Sequence, residues 1–341
     1  MNDSQKTAMH GRVRRQRRRK HLFIFISCLI VIFAGYKVIK GTTGLGKLVY
    51  GMIGSDESNI NETETSNASG IANMLNTIIP SMNGDYTERQ LLEDDYAGGN
   101  LVLVNKNNPW SLPDDSTMIS IYDGKSGSYY VKDKNVELNT EALAHLNSMM
   151  DDYVISTGYT DVNVVSGYRS YADQETLYSS SIDEHGMEHT SRYTAMPGCS
   201  EHHTGLALDF ALFYVDSGAS GDFEGSDEST WILNNCWKYG FVKRYNSEKE
   251  SITGVADEPW HFRYVGVPHA YYMTQNNLCL EEYLEVLKDT SWDGKHMKID
   301  CPDGNNYEVY YCPGTLIHVP STDNYTVSGN NSDGFIITVE K

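Results

Sequence analysis

The chain has 341 residues, of which 40% are hydrophobic and 21% are charged, and its formal net charge is −19. At roughly 150 residues per domain this length predicts about two domains, and the composition excludes collagen-like, wholly disordered and multi-spanning membrane proteins. The first forty residues hold ten Lys and Arg against one acid, whereas the other 301 hold 45 acidic and 17 basic residues. Because so acidic a body repels nucleic acid, we expect no nucleic-acid partner.

The N-terminal segment joins a basic run to an apolar run. Residues 1–21 include RVRRQRRRK, and residues 22–39 read LFIFISCLIVIFAGYKVI, a length that can cross a bilayer. By the positive-inside rule, we predict a cytoplasmic tail at 1–21, a single transmembrane anchor at 22–39 and an extracellular remainder. A cleaved signal peptide is the alternative, disfavoured by the long charged region and by the lack of a clear cleavage site.

Residues 40–99 are rich in Gly, Ser, Thr, Asn and acids, with SDESNINETETSNASG as the clearest low-complexity stretch. Such a composition predicts a flexible stalk. The run LVLVNK at Leu101–Lys106 then predicts the first buried strand of a folded domain.

In the middle of the chain, apolar residues recur at helical spacing in some segments and at strand spacing in others. Apolar residues at helical spacing predict a helix over Asn139–Tyr153, with Asn139 as its N-cap. Strands from distant parts of the chain, broken by helices, indicate an α+β fold rather than a regular βαβ array. The other predicted elements are a strand at Val162–Ser166, a helix around Ala172–Ser180, a strand at Gly205–Leu212, a loop at Asp216–Ser229, a helix at Trp231–Tyr239, and strands at Phe241–Tyr245 and Trp260–Val265.

The C-terminal region changes character. After Ser291 the helical signal stops, and turn signals separate alternating runs such as YEVYY and FIITV. This pattern predicts a small all-β region at 291–341. Cys301 and Cys312 bracket a predicted hairpin there and would either form a disulfide or remain buried thiols. Five cysteines outside the predicted span, without a CxxC pair, do not form a disulfide scaffold.

Two clusters of histidine and carboxylate carry the chemical signal. In PGCSEHHTGLALDF, His202 and Asp209 are seven residues apart and would point to opposite faces of a regular strand. Gly205 between them allows the turn or bulge that would let them converge. In EPWHFRYVG, Glu258 precedes His261 by three residues. Two imidazoles and one carboxylate make a three-ligand zinc site with a fourth position for water, which is typical of catalytic zinc.

The residues near this set indicate how such a site would act. Zinc held by three ligands lowers the pKa of water to about 7, and Glu258 is placed to accept the proton as that water attacks. Arg169, in SGYRS, supplies a cation that would stabilise negative charge on a carbonyl oxygen or, alternatively, bind a terminal carboxylate.

Three segments in this order, SGYRSYADQETLY, PGCSEHHTGLALDF and WHFRYVG, resemble the VanY-type D-alanyl-D-alanine carboxypeptidases. These belong to zinc peptidase family M15, of the LAS type, which also includes VanX-like dipeptidases and LdcB/DacB-like LD-carboxypeptidases. The resemblance spans roughly residues 100–287. It implies an α+β fold with a central antiparallel sheet, shared with the Hedgehog signalling domain, and a zinc carboxypeptidase domain at 100–288.

The resemblance also implies residue roles and a reaction. One Zn²⁺ would be bound by His202, Asp209 and His261, with Glu258 as catalytic base and Arg169 stabilising the tetrahedral intermediate. Motif positions that line the substrate pocket of such enzymes are occupied by Ser200, Gln174 and Tyr168. The expected protein is a bacterial membrane-anchored carboxypeptidase that removes terminal D-Ala from peptidoglycan stem peptides outside the cell.

Two other functions remain open on the sequence alone. An LD-carboxypeptidase acting on tetrapeptide stems would have the same metal and base, and a non-catalytic wall-binding or sensing protein would keep the fold without hydrolysis.

Two other residues compete for roles in the site. His203 is adjacent to His202, and Cys199 would be a thiol nucleophile if a histidine activated it. We expect His269 and His318 to be ordinary surface or loop residues.

Overall fold

The computed structural model describes residues 86–110 and 117–341. The predicted tail at 1–21, the predicted anchor at 22–39 and the predicted stalk as far as residue 85 lie outside these residues. Within the described residues, no helix is both long and apolar enough to span a membrane.

Short strands and helices alternate through the described residues. The strands β1 to β14 are Tyr86–Gln90, Met118–Ser120, Tyr130–Val131, Glu137–Asn139, Val162–Ser166, Ala207–Tyr214, Ala219–Gly221, Phe241–Lys243, His261–Tyr264, Met297–Asp300, Asn306–Pro313, Leu316–Pro320, Tyr325–Gly329 and Gly334–Glu340. The helices α1 to α7 are Ile121–Gly124, Thr140–Thr157, Tyr171–Tyr193, Asp227–Asn235, Glu250–Thr253, Val267–Gln275 and Leu280–Leu287.

The central sheet has the order β3-β5-β6-β9-β8, with β7 beside β6. Its pairs are antiparallel except for β3 with β5, which is parallel. Helix α2 contributes its buried side chains to the same core as Val164, Phe210 and Phe262 of this sheet. The α+β prediction is therefore confirmed, with a mixed rather than a wholly antiparallel sheet.

Helix α2 follows the predicted signals. The Asn139 side chain caps it by accepting the backbone N–H groups of Glu141 and Ala142, at 2.9 and 3.3 Å. The residues that set its helical period, Leu143 and Leu146 among them, are buried. Strand β4 therefore ends at Asn139, and helix α2 begins at the next residue.

The strand predicted at Leu101–Lys106 does not form; this segment has only an isolated bridge between Asn105 and Asn108. Leu101, Val102 and Val104 are nevertheless buried. Here the carbonyls of Asn100 and Val102 accept hydrogen bonds from the Arg263 guanidinium, at 3.1 and 2.8 Å. A buried side chain therefore replaces the neighbouring strand that the prediction assumed.

Two helix predictions need new boundaries. The helix predicted around 172–180 extends over the whole of α3, with Gly186 in a non-helical conformation inside it. The loop predicted at 216–229 contains β7 and the start of α4, because the Ser226 side chain accepts the N–H of Ser229 and caps that helix. The predicted helix at 231–239 ends as a 3₁₀ turn at Cys236–Tyr239.

The C-terminal residues form a four-stranded antiparallel sheet in the order β10-β11-β14-β13. Strand β12 pairs with β1, which comes from the end of the predicted stalk. Tyr86 of β1 packs edge-on against Trp292, with ring centroids 5.6 Å apart. The last residues of the predicted stalk are thus part of the folded structure.

All five cysteines of the described residues are free. Cys301 and Cys312 are both buried, and no bridge joins them. Of the two possibilities left open by the sequence, the structure contains the buried thiols.

Candidate active site and metal centre

The three predicted metal ligands lie together at one end of the central sheet. Asp209 in β6 and His261 in β9 are direct cross-strand partners, and His261 Nδ1 is 2.9 Å from Asp209 Oδ1. His202 lies in a 3₁₀ turn before β6, with Nε2 3.3 Å from Asp209 Oδ2. One ligand atom from each residue lies within 4.8 Å of the others.

A left-handed turn at Gly205 brings His202 back over the strand. Gly205 ends the 3₁₀ turn with φ of 66° and lies before the start of β6. A β-carbon at this position would collide with the Met118 side chain. The turn expected between His202 and Asp209 is therefore present, and its left-handed conformation favours glycine.

Hydrogen bonds fix the 3₁₀ turn to the segment that carries Arg169. The Nδ1–H of His202 donates to the Gly167 carbonyl at 2.7 Å, and the Arg169 N–H donates to the His202 carbonyl at 3.0 Å. His203 Nδ1 donates to the Arg169 carbonyl at 2.7 Å, and its Nε2 accepts the Gly198 N–H at 3.0 Å. His203 thus uses both ring nitrogens to hold backbone, whereas His202 keeps Nε2 directed at Asp209.

The His261 ring nitrogen that points away from Asp209, Nε2, faces a carboxylate that was not predicted from the sequence. His261 Nε2 is 3.5 Å from Glu201 Oε2, and the Glu201 side chain has no exposed surface. Its other oxygen accepts hydrogen bonds from Arg244 and Arg263, each at 2.8 Å. Arg244 also forms two hydrogen bonds with Glu281 of α7. Arg263, a charged residue within the buried strand HFRY, was the sequence signal that could have revealed this cluster.

Glu258 lies beside the ligands on the cleft side. Its Oε2 is 3.9 Å from His261 Nδ1, and only 8% of the residue is exposed. Burial raises the pKa of Glu258 to about 7, with Asp209 and Glu201 adding to the rise and His261 and Arg169 opposing it. A carboxyl group with such a pKa can both accept and donate a proton near neutral pH.

The electrostatics of the site favour a bound cation. Burial alone would lower the pKa of His261, but the carboxylates of Asp209 and Glu201 raise it to about 10. The pKa of Asp209 is held well below its usual range, because the two histidines outweigh its burial. Burial lowers the pKa of His202, so its ring stays neutral. A neutral imidazole beside an ionised carboxylate provides the electron pairs that a divalent cation needs.

These ligands open into a cleft with a volume of about 220 Å³. Arg169 and Gln174 line it, joined by a 2.9 Å hydrogen bond. Ser200 also lines it and accepts the backbone N–H of His202 at 3.3 Å. Tyr168 is not among the described residues that line the cleft; its backbone N–H donates to the Glu137 carbonyl at 2.6 Å. The cleft is completed by Leu177, Ser191, Arg192, Tyr193, Thr194, Ala195, Glu201, Tyr245, Val255 and Trp260.

Cys199 does not have the surroundings of a nucleophile. It does not line this cleft, and burial raises the pKa of its thiol. Because the thiolate is the reactive form of cysteine, this environment opposes the thiol alternative.

The donor set fits a divalent transition metal. Two imidazole nitrogens and one carboxylate oxygen are the ligands of catalytic zinc sites. In each ring, the nitrogen that points away from the site faces an oxygen acceptor. For His202 this is Nδ1 with the Gly167 carbonyl, and for His261 it is Nε2 with the Glu201 carboxylate. Such outer partners set which ring nitrogen is available to a metal.

Comparisons with known proteins agree with this geometry. A family model described as "VanY: D-alanyl-D-alanine carboxypeptidase" matches residues 135–267. A D-alanyl-D-alanine carboxypeptidase of Enterococcus faecium is 36% identical over 258 residues, which is 74% of this chain and 78% of that protein. The chain belongs to the VanY family. Like its relatives, this VanY-family protein is a hydrolytic peptidase.

Two further relatives extend the comparison. The bifunctional D-Ala-D-Ala dipeptidase and D-Ala-D-Ala carboxypeptidase VanXYC of Enterococcus gallinarum is 34% identical, over 56% of this chain and 96% of that protein. The crystal structure of the vancomycin resistance D,D-dipeptidase VanXYg, in complex with a D-Ala-D-Ala phosphinate analog, superposes with a TM-score of 0.67 and 32% identity. It covers 76% of this chain and 100% of the other. The similarity to VanY-family proteins is thus longer than the stretch 100–287 that the motifs indicated.

Proposed function

We propose that this VanY-family protein is a zinc-dependent D-alanyl-D-alanine carboxypeptidase that removes the terminal D-Ala from peptidoglycan stem peptides. The observation that carries the proposal is the convergence of His202, Asp209 and His261, with ligand atoms within 4.8 Å of one another, beside the buried Glu258. The relatives named for D-Ala-D-Ala carboxypeptidase activity support the substrate class.

One zinc ion would be held by His202 Nε2, a carboxylate oxygen of Asp209 and His261 Nδ1. When bound, it would supply Lewis-acid chemistry at the scissile carbonyl and acidify water. The β6–β9 register and the 3₁₀ turn position these three donors.

Glu258 would move the protons of the reaction. As a general base its carboxylate takes a proton from the attacking water, and as a general acid it returns that proton to the departing D-alanine amine. Its raised pKa suits both steps, because the group is then neither strongly acidic nor strongly basic at neutral pH.

Arg169 would stabilise the negative charge that develops on the carbonyl oxygen. Its guanidinium lines the cleft and uses Nη1 for Gln174 and Nη2 for Ser166, at 2.9 and 2.7 Å. These bonds orient the group while leaving other N–H donors for a ligand. The small cleft suits the end of a peptide, and Gln174 and Ser200 are polar groups on its wall that would contact that end.

The proposed location follows from the N-terminal sequence. The basic tail at 1–21 and the apolar run at 22–39 would anchor the chain in a bacterial membrane, with its C-terminal part outside. Residues 40–85 would then form the tether, and the peptidase would face the cell wall.

Substrate specificity is tested with three synthetic peptides and the purified, zinc-loaded full chain. A pentapeptide stem ending in D-Ala-D-Ala tests the proposal, a tetrapeptide stem tests the LD-carboxypeptidase alternative, and free D-Ala-D-Ala tests dipeptidase activity of the kind that names VanXYC. We expect D-alanine release from the pentapeptide at a higher kcat/KM than from the other two. Preferred cleavage of the tetrapeptide would replace the proposal with the LD assignment. The absence of turnover on all three would favour a binding or sensing role.

A further inference from the structure

Adjacent residues of the 3₁₀ turn reach the proposed metal site from two sides. His202 directs Nε2 at Asp209. Glu201 lies on the other side of the His261 ring, with Oε2 3.5 Å from Nε2 of that ring. Glu201 Oε2 and His261 Nε2 are both buried, and neither has a hydrogen-bond partner elsewhere in the described residues. At 3.5 Å, each is placed to satisfy the other.

Glu201 belongs to a buried cluster of four charged side chains. Arg244 and Arg263 both donate to Glu201 Oε1, and Arg244 donates from both terminal nitrogens to Glu281. The side chains of Arg244 and Arg263 are 1% and 0% exposed, and that of Glu281 is 14% exposed. Two carboxylates and two guanidinium groups make the cluster neutral as a unit, so no charge is left buried without a partner.

This cluster determines which nitrogen of His261 is free. His261 can ligate through Nδ1, the atom near Asp209, only if its ring proton is on Nε2. A fixed carboxylate opposite Nε2 stabilises that tautomer. The other ring uses the opposite arrangement, since the Gly167 carbonyl holds the proton of His202 on Nδ1 and leaves Nε2 free.

We propose that Glu201 is a positioning residue of the metal centre, which sets the orientation and tautomer of His261, and that Glu281 supports it through Arg244. This inference rests on the proposed function, because it concerns the metal of that same site. Glu281 lies on α7, outside the cleft, so the cluster extends the determinants of metal affinity beyond the cleft itself.

The test compares Glu201→Gln and Glu281→Gln with Glu285→Gln in the full chain. Glu285 is on the same helix, its side chain is 76% exposed, and it pairs with Lys288 at 3.6 Å. Zn²⁺ affinity is measured on metal-free protein by competition with a chromophoric chelator. We expect Glu201→Gln to weaken zinc binding by about 10–100-fold, Glu281→Gln to weaken it by a smaller factor, and Glu285→Gln to match the wild type.

Spectroscopy and kinetics separate positioning from loss of structure. With Co²⁺ in place of Zn²⁺, Glu201→Gln should shift the visible absorption bands, because the geometry of His261 changes. At saturating zinc, kcat should fall while KM changes little. If Glu201→Gln does not fold, Glu281→Gln carries the test, since its side chain does not touch a proposed ligand.

The outcomes distinguish this inference from the proposed function. Zinc affinities and Co²⁺ spectra of Glu201→Gln and Glu281→Gln equal to those of Glu285→Gln would overturn the inference. If the wild type still bound zinc and released D-alanine, the proposed function would stand. A wild-type chain that bound no zinc would overturn both.

Discussion

Asp209 and His261 are 52 residues apart in the chain and directly opposite each other in the β6–β9 ladder, with Oδ1 and Nδ1 2.9 Å apart. The register of the sheet thus fixes one side of the proposed metal centre. Because a slip of one residue would turn either side chain to the other face, the site exists only while this part of the central sheet is correctly paired.

Replacing the proposed base should separate catalysis from metal binding. We expect Glu258→Ala to lower kcat for D-alanine release by about 10²–10⁴-fold, because the other two carboxylates that line the cleft are engaged, Asp209 by the two histidines and Glu201 by Arg244 and Arg263. Zinc content, measured by mass spectrometry, should be unchanged because the three ligands remain. Glu248→Ala, at an exposed position outside the cleft, is the control. Wild-type turnover by Glu258→Ala would contradict the assigned role.

Metal removal should lower thermal stability. A ligand present at 100 times its Kd stabilises the folded state by about 2.7 kcal/mol, so a chelator should lower Tm by about 4–5 °C, because the unfolding entropy is about 2.1 cal/mol/K per residue. Asp209→Ala lacks one ligand and should show little further decrease with chelator, whereas the exposed control Asp216→Ala should respond like the wild type. A chelator-induced shift of the same size in Asp209→Ala would place the stabilising metal elsewhere.

The turn at Gly205 can be tested against a glycine of similar backbone. Gly205 and Gly218 have φ of 66° and 67°, but an added β-carbon would meet Met118 at the first and nothing within 4 Å at the second. A left-handed conformation costs an alanine about 1–2 kcal/mol in each case. In urea unfolding, we expect Gly205→Ala to lose more stability than Gly218→Ala and also to bind zinc more weakly. Equal losses would show that Met118 moves away without cost.

His269, which the sequence led us to expect at the surface or in a loop, is buried in helix α6 and should make folding sensitive to acid. Burial lowers its pKa to about 3, and its ring nitrogens contact Tyr283 and Thr338. In the unfolded chain His269 takes up a proton near pH 6.5, whereas in the folded chain it stays neutral at that pH. The free energy of unfolding should therefore fall between pH 6.5 and about 3, by up to about 1.4 kcal/mol per pH unit.

This pH dependence is measured by urea unfolding of metal-free protein from pH 7 to pH 4. His269→Gln keeps a polar side chain but does not titrate, so its stability should fall less steeply than that of the wild type. Parallel curves for the two proteins would show that His269 does not contribute.

The sequence contains enough local information to predict the proposed ligands. His202, Asp209, Glu258 and His261 fall in two short motifs whose spacing carries the chemistry, and Asn139 marks the start of α2 because a cap is a local interaction. Residues Leu101–Lys106 show the limit of such reasoning. Their apolar pattern predicted a strand, but a hydrogen-bonded ladder depends on a partner, and here Arg263 takes that place.

Long-range contacts account for most of what was missed. The pairing of β1 with β12 joins residues more than 220 positions apart, so the composition of the predicted stalk gave no sign of it. The Glu201 cluster likewise depends on Arg244, Arg263 and Glu281 meeting in the fold. A charged residue inside a buried strand was its one local signal, since buried charges require partners.

The central claim is that one divalent ion is held by His202, Asp209 and His261 next to Glu258. The most direct measurement is a crystal structure of the zinc-loaded protein, with diffraction data collected on both sides of the zinc absorption edge. We predict a single anomalous peak in the cleft, bounded by Nε2 of His202, the Asp209 carboxylate and Nδ1 of His261. A zinc-loaded crystal with its anomalous peak elsewhere, or with no peak among these three side chains, would contradict the account.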